Sequence, residues 1–173
     1  MRKDIACVFY FLIIIFIFVD KKVIEYFTSN GLYLESIVAT YMSKKRFIHT
    51  TSMASLAVEI AQANDIDPLK AYVAGMLHDV AKEMDSKKAR KIMEKHFPEH
   101  IHMPEVVWHQ WLSSYVAKKT FKIKNQEILQ AIINHTTASC DMSRLDMCIY
   151  CADKYDRSRG YDSSKEIELW RIV

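Results

Sequence analysis

The sequence predicts an all-α protein, a helical bundle built around a single core. Three observations lead there. Only three glycines and three prolines punctuate 173 residues, too few turn-formers for an all-β sandwich or barrel. Apolar residues recur at helical spacing in segment after segment beyond Arg46. An apolar share of 50% with 26% charged residues belongs to an ordered globular chain of one domain. The net charge of +3 is too mild to imply nucleic acid as a partner.

The first element is the run Ile5–Val19, "IACVFYFLIIIFIFV", which carries no charge and is flanked by Arg2, Lys3, Asp20, Lys21 and Lys22. Such a run covers about 22 Å as a helix, short of the ~30 Å hydrocarbon core of a bilayer. No A-x-A-like cleavage site follows it. Three readings stay open: a membrane-associated helix, a buried strand or helix, or an altered start of the chain. Next, Val23, Ile24 and Phe27, then Leu32, Leu34, Ile37, Val38 and Tyr41, fall at helical spacing around Asn30-Gly31. Asn-Gly stops helices, so two helices are expected, over 21–29 and 32–43.

Met53, Leu56, Ala57, Ile60 and Ala61 mark the next helix. Asp67-Pro68 then supplies an N-cap and a first-turn proline, for a helix expected to run to about Lys82. Asp85 or Ser86 caps a short helix ending near His96, and Pro98 and Pro104 bracket a loop. The stretch 104–121 reads as a helix, 125–134 as another, and 143–157 as a third, opened by the capping-box variant Ser143/Asp146. Cys148 and Cys151 stand one helical turn apart on an apolar stretch. Four cysteines in no disulfide pattern imply reduced thiols in a cytoplasmic setting, and this pair reads as core packing.

Seven histidines are present, and three of them, His96, His100 and His102, crowd the proline-flanked loop. The other four, His49, His78, His109 and His135, each lie on or beside a different helix. A lone histidine on an apolar face is usually a satisfied packing residue. Four of them with Asp79 and Asp153 could instead project into one cavity, as in metal sites built between the helices of a bundle. Imidazole with carboxylate suits iron, zinc, manganese or cobalt rather than calcium. Asp153 has a plainer alternative, an exposed position or a salt bridge to Lys154 or Arg157.

These residues carry a family resemblance. The series "RFIHT" (46–50), "LHDVAK" (77–82), "WHQW" (108–111), "INHTTA" (133–138) and "YCADK" (150–154) resembles the HD-domain superfamily. More narrowly it is similar to the symmetrical diadenosine tetraphosphate hydrolases, over about residues 35–162. The resemblance implies a helical bundle around two divalent ions, iron first, with manganese, cobalt or zinc as alternatives. It implies His49, His78, Asp79 and Asp153 on one ion, His109 and His135 on the other, and Asp79 bridging both. Two cations would make hydroxide available near neutral pH and neutralise phosphate oxygens during attack. The implied reaction splits diadenosine tetraphosphate into two ADP, with Asp79 and Lys82 catalytic. Lys82, Arg159 and Thr136 would meet substrate, although Lys82 and Arg159 read equally well as ordinary charged residues. Thr50 and Thr136 follow ligands and would either hydrogen-bond to them or be plain structural hydroxyls. Another phosphohydrolase of the superfamily, or a metal- or nucleotide-binding fragment without turnover, are the rival readings.

Both ends depart from that family. Residues 23–34 resemble the C-terminal tail of nicotinate-mononucleotide adenylyltransferases, as in a fusion. The expected organisation is therefore an apolar segment (1–20), a linker or tail helix (21–34) and an HD domain (35–173) lacking the family's last helix. The substrate partner would be a dinucleoside polyphosphate. Contact with a membrane through residues 5–19, and a homodimer, stay open.

Overall fold

The structure, a computed structural model, describes residues 31, 33–160, 162–165 and 167. The apolar run 5–19, the expected helix 21–29 and Cys7 lie outside these residues. Among the described residues there is no strand, and seven α-helices have defined bounds. They are α1 (Leu34–Val38), α2 (Lys44–Ala63), α3 (Pro68–Leu77), α4 (Ser86–His96), α5 (His109–Lys119), α6 (Gln126–Thr137) and α7 (Arg144–Lys154). Short 3-10 turns occupy Pro98–His100, Glu105–Val107 and Arg157–Arg159. None of these helices is long and apolar enough to cross a membrane.

Local chemistry sets the helix ends. Ser43 caps α2, its side chain accepting from the Arg46 N–H. Glu83 locks that start in place by accepting from the Ser43 N–H at 2.6 Å and its hydroxyl at 2.7 Å. Asp67 caps α3 with Pro68 behind it, Asp85 caps α4 and Asn125 caps α6. Ser143 and Asp146 form the reciprocal capping box of α7. Each such cap contributes about 1 kcal/mol.

Three helices differ from expectation. The helix expected over 32–43 is only α1, because the Thr40 hydroxyl donates to the Ile37 carbonyl at 2.8 Å and draws the chain into a turn. The segment 104–121 starts as a 3-10 turn before α5. The third difference positions the site: α3 ends at Leu77, not near Lys82. Residues 77–84 continue in tight turns, with Val80 N–H to Leu77 O, Lys82 N–H to Asp79 O and Met84 N–H to Ala81 O. The Ala81 N–H, which a continued helix would give to Leu77, goes to Ser113 Oγ on α5 at 3.1 Å.

The core sits where α2 packs along α3, α3 meets α6 and α7, and α6 lies between α5 and α7. Met53, Leu56, Met76, Leu77, Ile132 and Ile149 are fully buried there, each contributing roughly 1.5–3 kcal/mol by burial. The helix pair α2/α3 approaches closely at Gly75, where an added Cβ would stand 2.9 Å from Ala54 Cα.

Cys148 and Cys151 are buried free thiols, and Cys140 is an exposed one. Cys148 Sγ donates to the Ala57 carbonyl at 3.3 Å. Burial pushes these thiols up, to about 12 for Cys148 and about 11 for Cys151. Thiolate is the reactive form, so iodoacetamide at pH 8 is expected to label Cys140 rapidly and the buried pair only on unfolding, read by peptide mass spectrometry.

Candidate metal centre

Five structural elements each bring a donor to one buried place: α2 (His49), the α3 exit (His78, Asp79), α5 (His109), α6 (His135) and α7 (Asp153). The imidazoles stand in an unbroken row. His49 and His78 ring centres are 5.3 Å apart, His78 and His135 5.0 Å, and His135 and His109 5.1 Å. Two groups have donor atoms close enough to share an ion: His49, His78 and Asp79, and Asp79, His109 and His135. Asp153 joins the first, its Oδ1 lying 3.1 Å from His49 Nε2 and 3.8 Å from His78 Nε2. The early end of α3 lets two neighbours serve one centre. His78 closes the helix, and Asp79, in the turn beyond it, is placed with Oδ2 3.6 Å from His78 Nε2 and Oδ1 3.4 Å from His109 Nε2.

The rings are oriented from behind. His78 Nδ1 donates to Gly75 O at 2.6 Å, His109 Nδ1 to Val106 O at 2.9 Å and His135 Nδ1 to Ile132 O at 2.6 Å. His49 Nδ1 pairs with Asp156 Oδ2 at 2.9 Å. All four therefore turn Nε2 inward, the arrangement metal-ligating histidines adopt.

These donors fit a cation. Buried His78 Nε2 and Asp79 Oδ1 have no hydrogen-bond partner, and His49 Nε2 meets Asp153 without hydrogen-bond geometry. His109 Nε2 and His135 Nε2 lie 3.2 Å apart. With both Nδ1 protons committed elsewhere, two lone pairs face each other, an arrangement that a cation between them would stabilise. Burial lowers His78 to about 4 and His109 to about 3, so both are neutral, metal-ready imidazoles at neutral pH. Burial would raise the Asp79 carboxyl, but the neighbouring His78, His135 and His109 hold it well below the usual range. Asp153 is likewise held low against burial, first by its contact with His49. Burial alone would lower His49, yet Asp153 and Asp156 raise it to about 9.

The other expected site residues stand close by. Lys82 Nζ is 3.0 Å from both ring nitrogens of His109. Asp79 does not pair with it; its Oδ2 accepts from Arg46 Nη1 at 2.8 Å. Thr136 Oγ1 lies 2.9 Å from the Nε2 atoms of His109 and His135. Thr50, by contrast, points its hydroxyl at Met42 Sδ and away from the cluster. Asp153 finds neither Lys154 nor Arg157. Arg159 binds it through Nη2 at 2.6 Å and Nε to its carbonyl at 2.7 Å, while Arg157 makes a two-pronged pair with Glu59 and Lys154 lies over Tyr150. An open cleft of about 800 Å³ runs beside His49, lined by Lys44, Lys45, Arg46, Ser158 and Arg159 among others.

Two residues of this centre carry no role in the sequence reading. Arg46 lies one turn before His49, on the same helical face. Asp156 lies three residues after Asp153, past the end of α7 and at the head of the turn Arg157–Arg159, where it meets His49. His96 and His100 sit elsewhere, against Tyr115 at 4.7 Å and stacked on Trp111 at 4.3 Å, and His102 is exposed. Alanine at His96, His100 or His102 is therefore expected to leave metal content unchanged by elemental analysis.

A bundle of this shape around a histidine–aspartate cluster defines a class of protein. A family profile described as the HD domain matches residues 46–158, and the chain belongs to that family, whose domain binds divalent metal. Within it, the chain is 33% identical over 156 residues to a probable nicotinate-nucleotide adenylyltransferase/Ap4A hydrolase of Mycoplasma genitalium, covering 90% of this chain and 45% of that protein. It is 29% identical over 133 residues to a symmetrical bis(5'-nucleosyl)-tetraphosphatase of Bacillus subtilis, covering 75% of this chain and 71% of that one. The crystal structure of a predicted HD superfamily hydrolase involved in NAD metabolism from Clostridium acetobutylicum matches with a TM-score of 0.71 at 27% identity, over 80% of this chain and 75% of that one. The chain spans 45% of the length of the first curated relatives it matches.

Proposed function

We propose that this protein hydrolyses diadenosine tetraphosphate to two ADP, using two divalent ions. One observation carries the reading: five donors form two triads that share the Asp79 carboxylate, and Asp153 adds a sixth beside the first. The fused and free-standing relatives named for the same hydrolysis agree with it. His49, His78, Asp79 and Asp153 would hold one ion, and Asp79, His109 and His135 the other. Iron is the first choice, with manganese, cobalt or zinc as alternatives. When bound, such ions supply an activated water and neutralise phosphate charge.

The chain's own groups do the rest. Arg46, Arg159, Lys44 and Lys45 line the cleft beside His49 and can follow a polyphosphate, guanidinium forks gripping phosphate oxygens in pairs. Water adds to one inner phosphorus, the central P–O–P bond breaks, and the departing ADP oxygen carries negative charge. Lys82 reaches the centre and, with its pKa lowered by burial, can neutralise or protonate that oxygen. The Thr136 hydroxyl, beside His109 and His135, can donate to a phosphate oxygen.

Incubation with diadenosine tetraphosphate and ferrous or manganous ion should give ADP as the sole nucleotide product. AMP with ATP would overturn symmetrical cleavage. No turnover of this or any cyclic dinucleotide or nucleotide phosphate by fully metallated protein would leave a binding role instead.

A further inference from the structure

The two triads share Asp79 but differ in charge and in how their rings are held. Three carboxylates attend the first: Asp79, Asp153 and, behind His49, Asp156. With His49 neutral, as a ligating ring must be, the three carboxylates outnumber Arg46 on Asp79 and Arg159 on Asp153, and that side keeps a net negative charge. The second has no carboxylate but the shared Asp79, and the Lys82 ammonium stands 3.0 Å from His109.

The ring supports differ in the same sense. His78, His109 and His135 give Nδ1–H to neutral backbone carbonyls three residues earlier. Among the four, His49 is held by an acid, Asp156. Asp156 is 0% exposed. It also accepts from the Ser158 hydroxyl, and its carbonyl accepts from Arg159 N–H at 3.1 Å, so the 3-10 turn fixes its place. A carboxylate behind an imidazole orients the ring and makes the far nitrogen a better donor to a cation.

We propose that the ions load in order. The His49/His78/Asp153 half-site fills first and more tightly, with Asp156 as its positioning residue. The His109/His135 half-site fills second, more weakly, in competition with the Lys82 ammonium. The inference rests on the metal reading above and is independent of the substrate.

Equilibrium dialysis of the metal-free full chain against Mn²⁺, with elemental analysis, tests it without any reading of hydrolysis. Two ions per chain are expected, with dissociation constants at least about tenfold apart. His109→Ala should remove only the weaker step. Asp156→Asn should weaken the tighter step by about 10- to 100-fold and leave the other within about threefold, with Asp156→Glu restoring it. Lys82→Met should tighten the weaker step alone. Two equal steps, a His109→Ala protein that loses the tighter one, or an Asp156→Asn protein that weakens both steps alike or neither would overturn the proposal. If circular dichroism shows Asp156→Asn unfolded, the His109→Ala and Lys82→Met comparisons decide it by the same criteria. Ordered loading without diadenosine tetraphosphate cleavage would sink the proposed reaction and leave this inference standing.

Discussion

Asp79→Ala is expected to abolish diadenosine tetraphosphate hydrolysis and to reduce metal content at both half-sites. Asp79 sends Oδ2 toward His78 and Oδ1 toward His109 and His135, at 3.4 to 3.7 Å, so alanine removes a donor from each triad at once. The loss should be about a thousandfold or more, because metal ions stabilise transition-state charge by several kcal/mol and each 1.36 kcal/mol is tenfold in rate. The variant also frees Arg46, which holds Asp79 at 2.8 Å but is itself part-exposed and can turn to water. The fold should therefore survive the change better than the site. Discontinuous turnover assays and elemental analysis check both halves. Wild-type turnover with wild-type metal content would refute the bridging role assigned to this carboxylate.

Gly75→Ala is expected to destabilise the fold by overpacking α2 against α3. A helix interior normally gains roughly 0.5–1 kcal/mol from glycine-to-alanine exchange. Here the new methyl would meet Ala54 Cα at 2.9 Å, Ala54 Cβ at 3.1 Å and Met53 Sδ at 3.3 Å. The Met53 thioether can move, but the α2 backbone cannot without shifting the helix. Overpacking costs about 1–3 kcal/mol, and a clash with backbone belongs in the upper half of that range, so it outweighs the helix gain and leaves a net loss of about 1–2 kcal/mol. In a chain of this size that lowers Tm by about 2–8 °C, read by thermal denaturation. Gly75 also supplies the carbonyl that orients His78, and α2 carries His49. Prying the two helices apart should therefore weaken metal binding in parallel with Tm. Unchanged Tm with unchanged metal affinity would contradict this account of the α2/α3 contact.

Much of this arrangement was legible in the residues. The caps at Asp67, Asp85 and Ser143 use short polar side chains whose local bonding needs no tertiary partner, so sequence alone locates them. The series around His49, His78, Asp79, His109, His135 and Asp153 was legible through its resemblance to a family; spacing alone left each residue with an ordinary reading. What the sequence hid depends on contacts between distant segments. The end of α3 at Leu77 turns on Ser113, 32 residues after Ala81, taking an N–H that helical periodicity assigns to Leu77. Asp156 is 107 positions from His49, and nothing local marks it as that ring's partner. The family resemblance gives Arg159 to phosphate, yet its side chain also binds Asp153, a pairing fixed by the Arg157–Arg159 turn rather than by helical spacing.

The turn that follows Leu77 has a consequence for how this protein can vary. Each residue of helix rotates the chain by about 100°. One residue inserted or deleted between Gly75 and Asp79 would therefore swing Asp79 out of reach of one triad or both. Length changes should be tolerated far better between Pro98 and Pro104, where neither His100 nor His102 belongs to the centre. Among homologues of working activity, the interval from Gly75 to Asp79 should be constant in length while the proline-bracketed stretch drifts.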